Sequence, residues 1–135
     1  MSPEKIVAIV GLVLVIASIG ILIARKLPKR LKAVHYTLKW RDIQKLCAVE
    51  TNWPQAILLS DELLNEVLRK KQKSGKTMGE RMVSAQKSFT SNDAIWKAHK
   101  LANHIRTNEP EKLKESDVKE SLIAYRQALR DLGAL

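Results

Sequence analysis

The amino-acid sequence predicts an all-α protein: one N-terminal transmembrane helix, then a bundle of four or five helices. Three observations point there. A run of 19 residues, Ile6 to Ala24, carries no charge. After it, apolar residues recur at spacings of three and four in segment after segment. Strand signals are sparse, and no Asn-Gly or Asp-Gly hairpin dipeptide occurs in the 135 residues. The expected organisation is a short tail over 1–5, a membrane helix over 6–24, a basic juxtamembrane collar over 25–33 and a helical domain over 34–135.

The apolar run comes first. As a helix, 19 residues span roughly 28 Å, close to the hydrocarbon thickness of a bilayer. A buried soluble helix of this composition would need a large protein around it, which about 100 further residues do not supply. The rival is a cleaved signal peptide. Its apolar region is normally shorter and follows a basic start, whereas here only Lys5 precedes the run, offset by Glu4. Ser18-Ile19-Gly20 has the small-x-small form of a cleavage site, but cutting there would leave an apolar stub before Arg25. An uncleaved anchor is the expectation. Gly20 and Ala24 form one small-xxx-small pair, too common by chance to predict anchor pairing.

Charge sets the orientation. Arg25, Lys26, Lys29, Arg30 and Lys32 follow the run, against Lys5 alone before it. By the positive-inside rule the N-terminus lies outside an inner or plasma membrane and the C-terminal domain is cytoplasmic. The same five residues are the candidate membrane-surface contacts, since basic side chains beside a bilayer meet anionic headgroups. Most of the net charge of +10 lies between Arg25 and Arg41, with seven Lys/Arg and no acid, whereas from Asp42 onward 16 basic residues face 13 acidic ones. That excludes the globally basic pattern that would make nucleic acid the default partner. A lone cysteine, Cys47, excludes an intramolecular disulfide, and no N-x-[ST] sequon is present.

The helical domain reads element by element. Tyr36, Trp40, Ile43 and Cys47 mark one face of a helix from about Val34 to Glu50. Asn52-Trp53-Pro54 reads as a cap and first turn of the next helix, whose apolar side carries Ala56, Ser60, Leu63, Leu64, Val67 and Leu68, with Ser74-Gly75 as its breaker. Thr77-x-x-Glu80 is a capping box opening a short helix with Met78, Met82, Ala85 and Phe89 aligned. Ser91 to Asp93 supplies a cap before the stripe Ala94, Ile95, Ala98, Leu101, Ala102 and Ile105, closed at Glu109-Pro110. Ser116 is the expected cap of the last helix, with Val118, Leu122, Tyr125, Leu129 and Leu132 on one face and Gly133 as the stop. Trp40, Trp53 and Trp96 are expected in or against the core, with a lipid-facing position weighed for Trp40.

No motif carries chemistry intact. Ser74-Gly75-Lys76-Thr77 ends like a phosphate-binding loop, but Lys70 stands where that pattern needs glycine, and a helix precedes it instead of a strand. Lys70, Lys71, Lys73 and Lys76 form a second basic cluster, a candidate contact for RNA or a partner, without interleaved aromatics. His99 and His104 are five apart, where a helical metal pair uses four, and no nearby acid or cysteine completes a site. His104 falls on the polar face with Lys97 and Lys100, and His99 is expected half buried. Cys47 reads as a core thiol.

The stretch from Trp96 to Leu135, WKAHKLANHIRTNEP followed by ESLIAYRQALRDLGAL, resembles small bacterial proteins with a HEPN-like helical domain; the segment TMGERM and the helix around Trp40 resemble the same group. The resemblance covers most of 34–135 and implies a HEPN-like bundle. Active HEPN domains pair an arginine with a histidine in an R-x4-6-H motif, which suits phosphodiester cleavage. The matching arginine position here holds Ala102; Asn103 is retained; Arg106, Thr107 and Asn108 stand where the histidine would follow. Arg30 and His35 match the spacing formally but lie outside the resemblance. The resemblance thus implies the fold with its catalytic pair lost; for a non-enzymatic interaction module, Ala102→Arg is expected to change little.

The function expected from these features is a membrane-anchored, non-enzymatic interaction module. Its partners would be anionic headgroups and either another protein or a second copy, with no cofactor, metal or small-molecule substrate. The alternative is a membrane-tethered RNA-binding protein or residual HEPN-type ribonuclease, contacting RNA through Lys70, Lys71, Lys73, Lys76, Asn103, His104 and Arg106.

Overall fold

A computed structural model describes residues 2–26, 31–108 and 112–135, with side chains of the first helix described as far as Ile23. Among these residues there are six α-helices, one 3-10 turn and no strand: α1 (Pro3–Lys26), α2 (Ala33–Leu46), the 3-10 turn (Glu50–Asn52), α3 (Trp53–Lys70), α4 (Met78–Ser84), α5 (Asn92–Thr107) and α6 (Glu115–Asp131). The all-helical expectation holds, with five helices after the first. Glu109-Pro110, the expected close of α5, lies outside the described residues, and α5 itself ends at Thr107.

α3 is the central element, packing against α2, α4, α5 and α6. Its apolar stripe explains why: Ile57, Leu64, Val67 and Leu68 are fully buried. Around it sit Tyr36, Trp40 and Ile43 from α2, Met82 from α4, Ile95, Ala98 and Ala102 from α5, and Tyr125, Ala128 and Leu129 from α6. Trp40 goes to the core and not to a lipid-facing position, while Trp53 and Trp96 pack partly buried against it. Ala94 departs from its expected stripe and is exposed.

Helix ends follow local chemistry, with four departures from the sequence reading, the first being that α2 stops at Leu46 and Glu50 opens the 3-10 turn instead. The capping box forms in full: Glu80 N–H donates to Thr77 Oγ1, and the Glu80 carboxylate accepts from the Thr77 N–H. Ser91 Oγ accepts from Ala94 N–H, as expected. Asn52, however, ends the 3-10 turn with φ −93° and ψ −3°, so its side chain makes no cap bond; the extended backbone an N-cap needs is missing. Ser116 is already inside α6, which starts one residue earlier behind Lys114.

The stop of α3 is Gln72, at φ 55°, ahead of Ser74-Gly75. Gln72 N–H donates to Arg69 C=O and Lys73 N–H to Leu68 C=O, the paired bonds of a left-handed helix terminus. Gly133 makes the same arrangement at the end of α6, with φ 80° and bonds from Gly133 N–H to Arg130 C=O and from Ala134 N–H to Leu129 C=O.

Candidate functional site

Among the described residues, the bundle encloses one acidic side chain. Asp61, on α3, is fully buried. An acid there must find donors, because an unpaired charge in an apolar interior is expensive. α5 supplies them from one face, since His99, Asn103 and Arg106 are spaced four and three apart. α6 adds Tyr125, also fully buried.

These side chains close a ring. His99 Nδ1 lies 2.9 Å from Asp61 Oδ1. Asn103 Nδ2 lies 3.3 Å from His99 Nε2. Arg106 Nη1 donates to Asn103 Oδ1 at 3.0 Å, and Arg106 Nη2 lies 2.8 Å from Asp61 Oδ2. That last contact is an ion pair lacking hydrogen-bond alignment, so Oδ2 is satisfied by charge alone. Tyr125 O–H donates to Asp61 Oδ1 at 2.8 Å.

The donor inventory settles the direction of every bond. Guanidinium can only donate, so the Asn103 oxygen faces Arg106 and its NH2 faces His99. His99 Nε2 then accepts, and its proton sits on Nδ1, pointed at Asp61. Burial, and then the adjacent Asp61 charge and its hydrogen bond, push the Tyr125 phenol far above its ordinary range, with Arg106 opposing. Trp96 stands edge-on to the His99 ring, 6.0 Å between centroids.

Chemically the ring is closed on itself. Both His99 nitrogens are engaged and the residue is 8% exposed. Arg106, with its side chain 35% exposed, spends its charge on Asp61. The arrangement ties α3, α5 and α6 together, with His99 and Arg106 both committed to Asp61.

Of the residues singled out in the sequence, Asn103 and Arg106 are thus brought together, in a ring that takes nothing from the lysine cluster. His104 is exposed, its Nδ1 2.9 Å from Asn108 Nδ2. Lys70 and Lys76 are exposed at the end of α3 and before α4; Lys71 and Lys73 line a cavity of about 330 Å³ with Ser88 and Arg130. Ser74 to Thr77 is the junction between α3 and α4, with no strand before it. In the collar, Arg25 and Lys26 end α1 and exposed Lys32 precedes α2; Lys29 and Arg30 lie outside the described residues. No His, Cys, Asp and Glu group suited to a metal forms among the described residues.

Asp61, His99 and Tyr125 were not read as a polar unit from the sequence. One signal was available: Asp61 stands four residues after Ile57 and three before Leu64, inside the buried stripe of α3.

Among the described residues, two apolar grooves lie on the bundle surface. One, of about 390 Å³, lies between α2 and α3, floored by Ile43, Leu46, Leu59 and Leu63 under Asp42, Glu62 and Glu66. The other, of about 600 Å³, lies between α5 and α6, with Ala98, Leu101 and Ala124 beneath the Lys97–Glu120 ion pair and Ile123, 68% exposed, at its edge. No family model matches the chain, and neither a curated protein nor a solved structure matches it.

Proposed function

We propose that the chain is a membrane-anchored, non-enzymatic interaction module, its HEPN-like bundle held at the cytoplasmic face by α1. The observation that carries this reading is the exposure of α1. Within Pro3–Ile23 the most apolar 18-residue window has a mean hydropathy of 3.2 and is 0% buried by the rest of the protein. Thirteen large apolar side chains from Ile6 to Ile23 are exposed. Each forfeits about 1.5–3 kcal/mol in water that a hydrocarbon environment would recover. Five basic residues after the span against one before it support the cytoplasmic orientation of the bundle.

The closed ring around Asp61 supports a non-enzymatic bundle, and the open grooves supply surface for a protein partner or a second copy. One observation favours the alternative of RNA binding or residual ribonuclease activity: His99 and Arg106 share one network. Their commitment to Asp61 weighs against it.

A crosslinked pull-down of intact protein from gently solubilised membranes, with RNA and protein both read out, tests the reading. Enriched protein without RNA above background is the expected result. Absence of the protein from the membrane fraction, or RNA crosslinks mapping to Lys70–Lys76 or Asn103–Arg106, would replace it.

A further inference from the structure

α2 has two opposite faces. Tyr36, Trp40 and Ile43 are buried against the bundle. Half a turn away, Val34, Leu38, Arg41 and Lys45 follow one another at spacings of four, three and four, within an arc of about 60° at 100° per residue. All four are exposed, Val34 at 74% and Leu38 at 54%. The apolar pair is the nearer to α1 along the chain, and both charges on this face are positive. On the flanks, Asp42 lies 3.9 Å from Lys45, and His35 and Lys39 turn to Glu66 on α3.

We infer that this outer face of α2 docks on the anionic surface of the bilayer, Val34 and Leu38 inserting among the headgroups while Arg41 and Lys45 meet lipid phosphates. The inference rests on α1 being the membrane anchor. Lys26 and Ala33 are seven residues apart, so even a fully extended link keeps the start of α2 within about 25 Å of the end of α1. That short tether holds the face at the interface without any affinity of its own, so two apolar side chains and two cations suffice. Docking would also leave both grooves, which lie off this face, turned toward the aqueous side or the membrane plane for partners.

The test uses the full chain, in a Cys47→Ser background, reconstituted in vesicles of equal parts phosphatidylcholine and phosphatidylglycerol. An environment-sensitive fluorophore is placed at Val15→Cys, Leu38→Cys or Ile123→Cys, with spin-labelled acyl chains as quencher. Quenching at 15 and 38 but not at 123 is the expected pattern. Arg41→Gln and Lys45→Gln should each lower the docked-to-undocked ratio at 38 about fivefold in low salt. Quenching at 15 without 38 overturns the docking and leaves the anchor standing. No quenching at 15 removes both. Quenching at 38 that is equally strong in phosphatidylcholine alone overturns the assignment of Arg41 and Lys45 to headgroups.

Discussion

Tyr125 donates its hydroxyl to Asp61 Oδ1 at 2.8 Å, joining residues 64 positions apart and fastening α6 to α3 inside the core. The same carboxylate holds His99 and Arg106 of α5, so one side chain registers three helices. Removing the hydroxyl with Tyr125→Phe should cost about 1.5–3 kcal/mol, the range for a hydrogen bond to a charged group. Asp61→Ala should cost more, about 3–5 kcal/mol, because it leaves Arg106 and His99 facing an emptied apolar site. Urea unfolding of the full chain in mild detergent, followed by circular dichroism, measures both. Equal, small losses would show the ring to be incidental.

That ring also marks the boundary of what was legible in the sequence. Helices and their buried faces follow from spacing within one segment, which is why Tyr36, Trp40 and Ile43, or Met82, Ala85 and Phe89, fall where their periodicity places them. The Thr77–Glu80 box was legible for the same reason, both partners lying within one turn. His99 meets Asp61 across 38 residues, and no local pattern encodes that. Asn52 and Ser116 misled because cap residue types are common, while capping needs an extended backbone at that residue, and a 3-10 turn and an earlier helix start removed it.

Acid should loosen two junctions together. Glu80 accepts backbone N–H bonds from Lys76 and Thr77, which hold its carboxyl below the ordinary carboxylate range. Burial pushes Asp131 upward, but the Thr90 N–H and hydroxyl and the Gln127 amide outweigh it and bring the net shift down. Both folded values lie below the unfolded ones, so the folded chain binds fewer protons in between. Their contribution is complete above pH of about 4–5 and is lost as pH falls through the lowered values. A melting-temperature series from neutral to acid pH should fall in that window. In Asp131→Asn the neutral-pH value drops and the acid slope becomes shallower.

The turn after α3 is suboptimal by composition. Gln72 occupies the left-handed region at φ 55°, where a side chain costs about 1–2 kcal/mol and glycine costs nothing. Gln72→Gly should therefore stabilise the bundle, by about 0.5–1 kcal/mol after the added freedom of the unfolded chain is subtracted. Gly75→Ala should do the reverse: at φ 140° a Cβ would come within 2.6 Å of Glu80 Cβ and 2.8 Å of the Arg81 nitrogen. Thermal unfolding of the two variants side by side should show shifts of opposite sign.

Introducing an arginine at position 102 should have a larger effect than the small change a non-enzymatic module alone implies. Ala102 is fully buried on the core face of α5, among apolar neighbours. Ala102→Arg must bury a guanidinium or force the helix outward, and overpacking alone costs about 1–3 kcal/mol before any charge is desolvated. The variant should be strongly destabilised, and it should gain no RNA cleavage, since His99 stays bound to Asp61 and Asn103. Unfolding midpoints together with a fluorogenic RNA assay decide the matter. A stable variant that cleaves RNA would mean that position 102 can open to solvent and that the histidine can leave its ring.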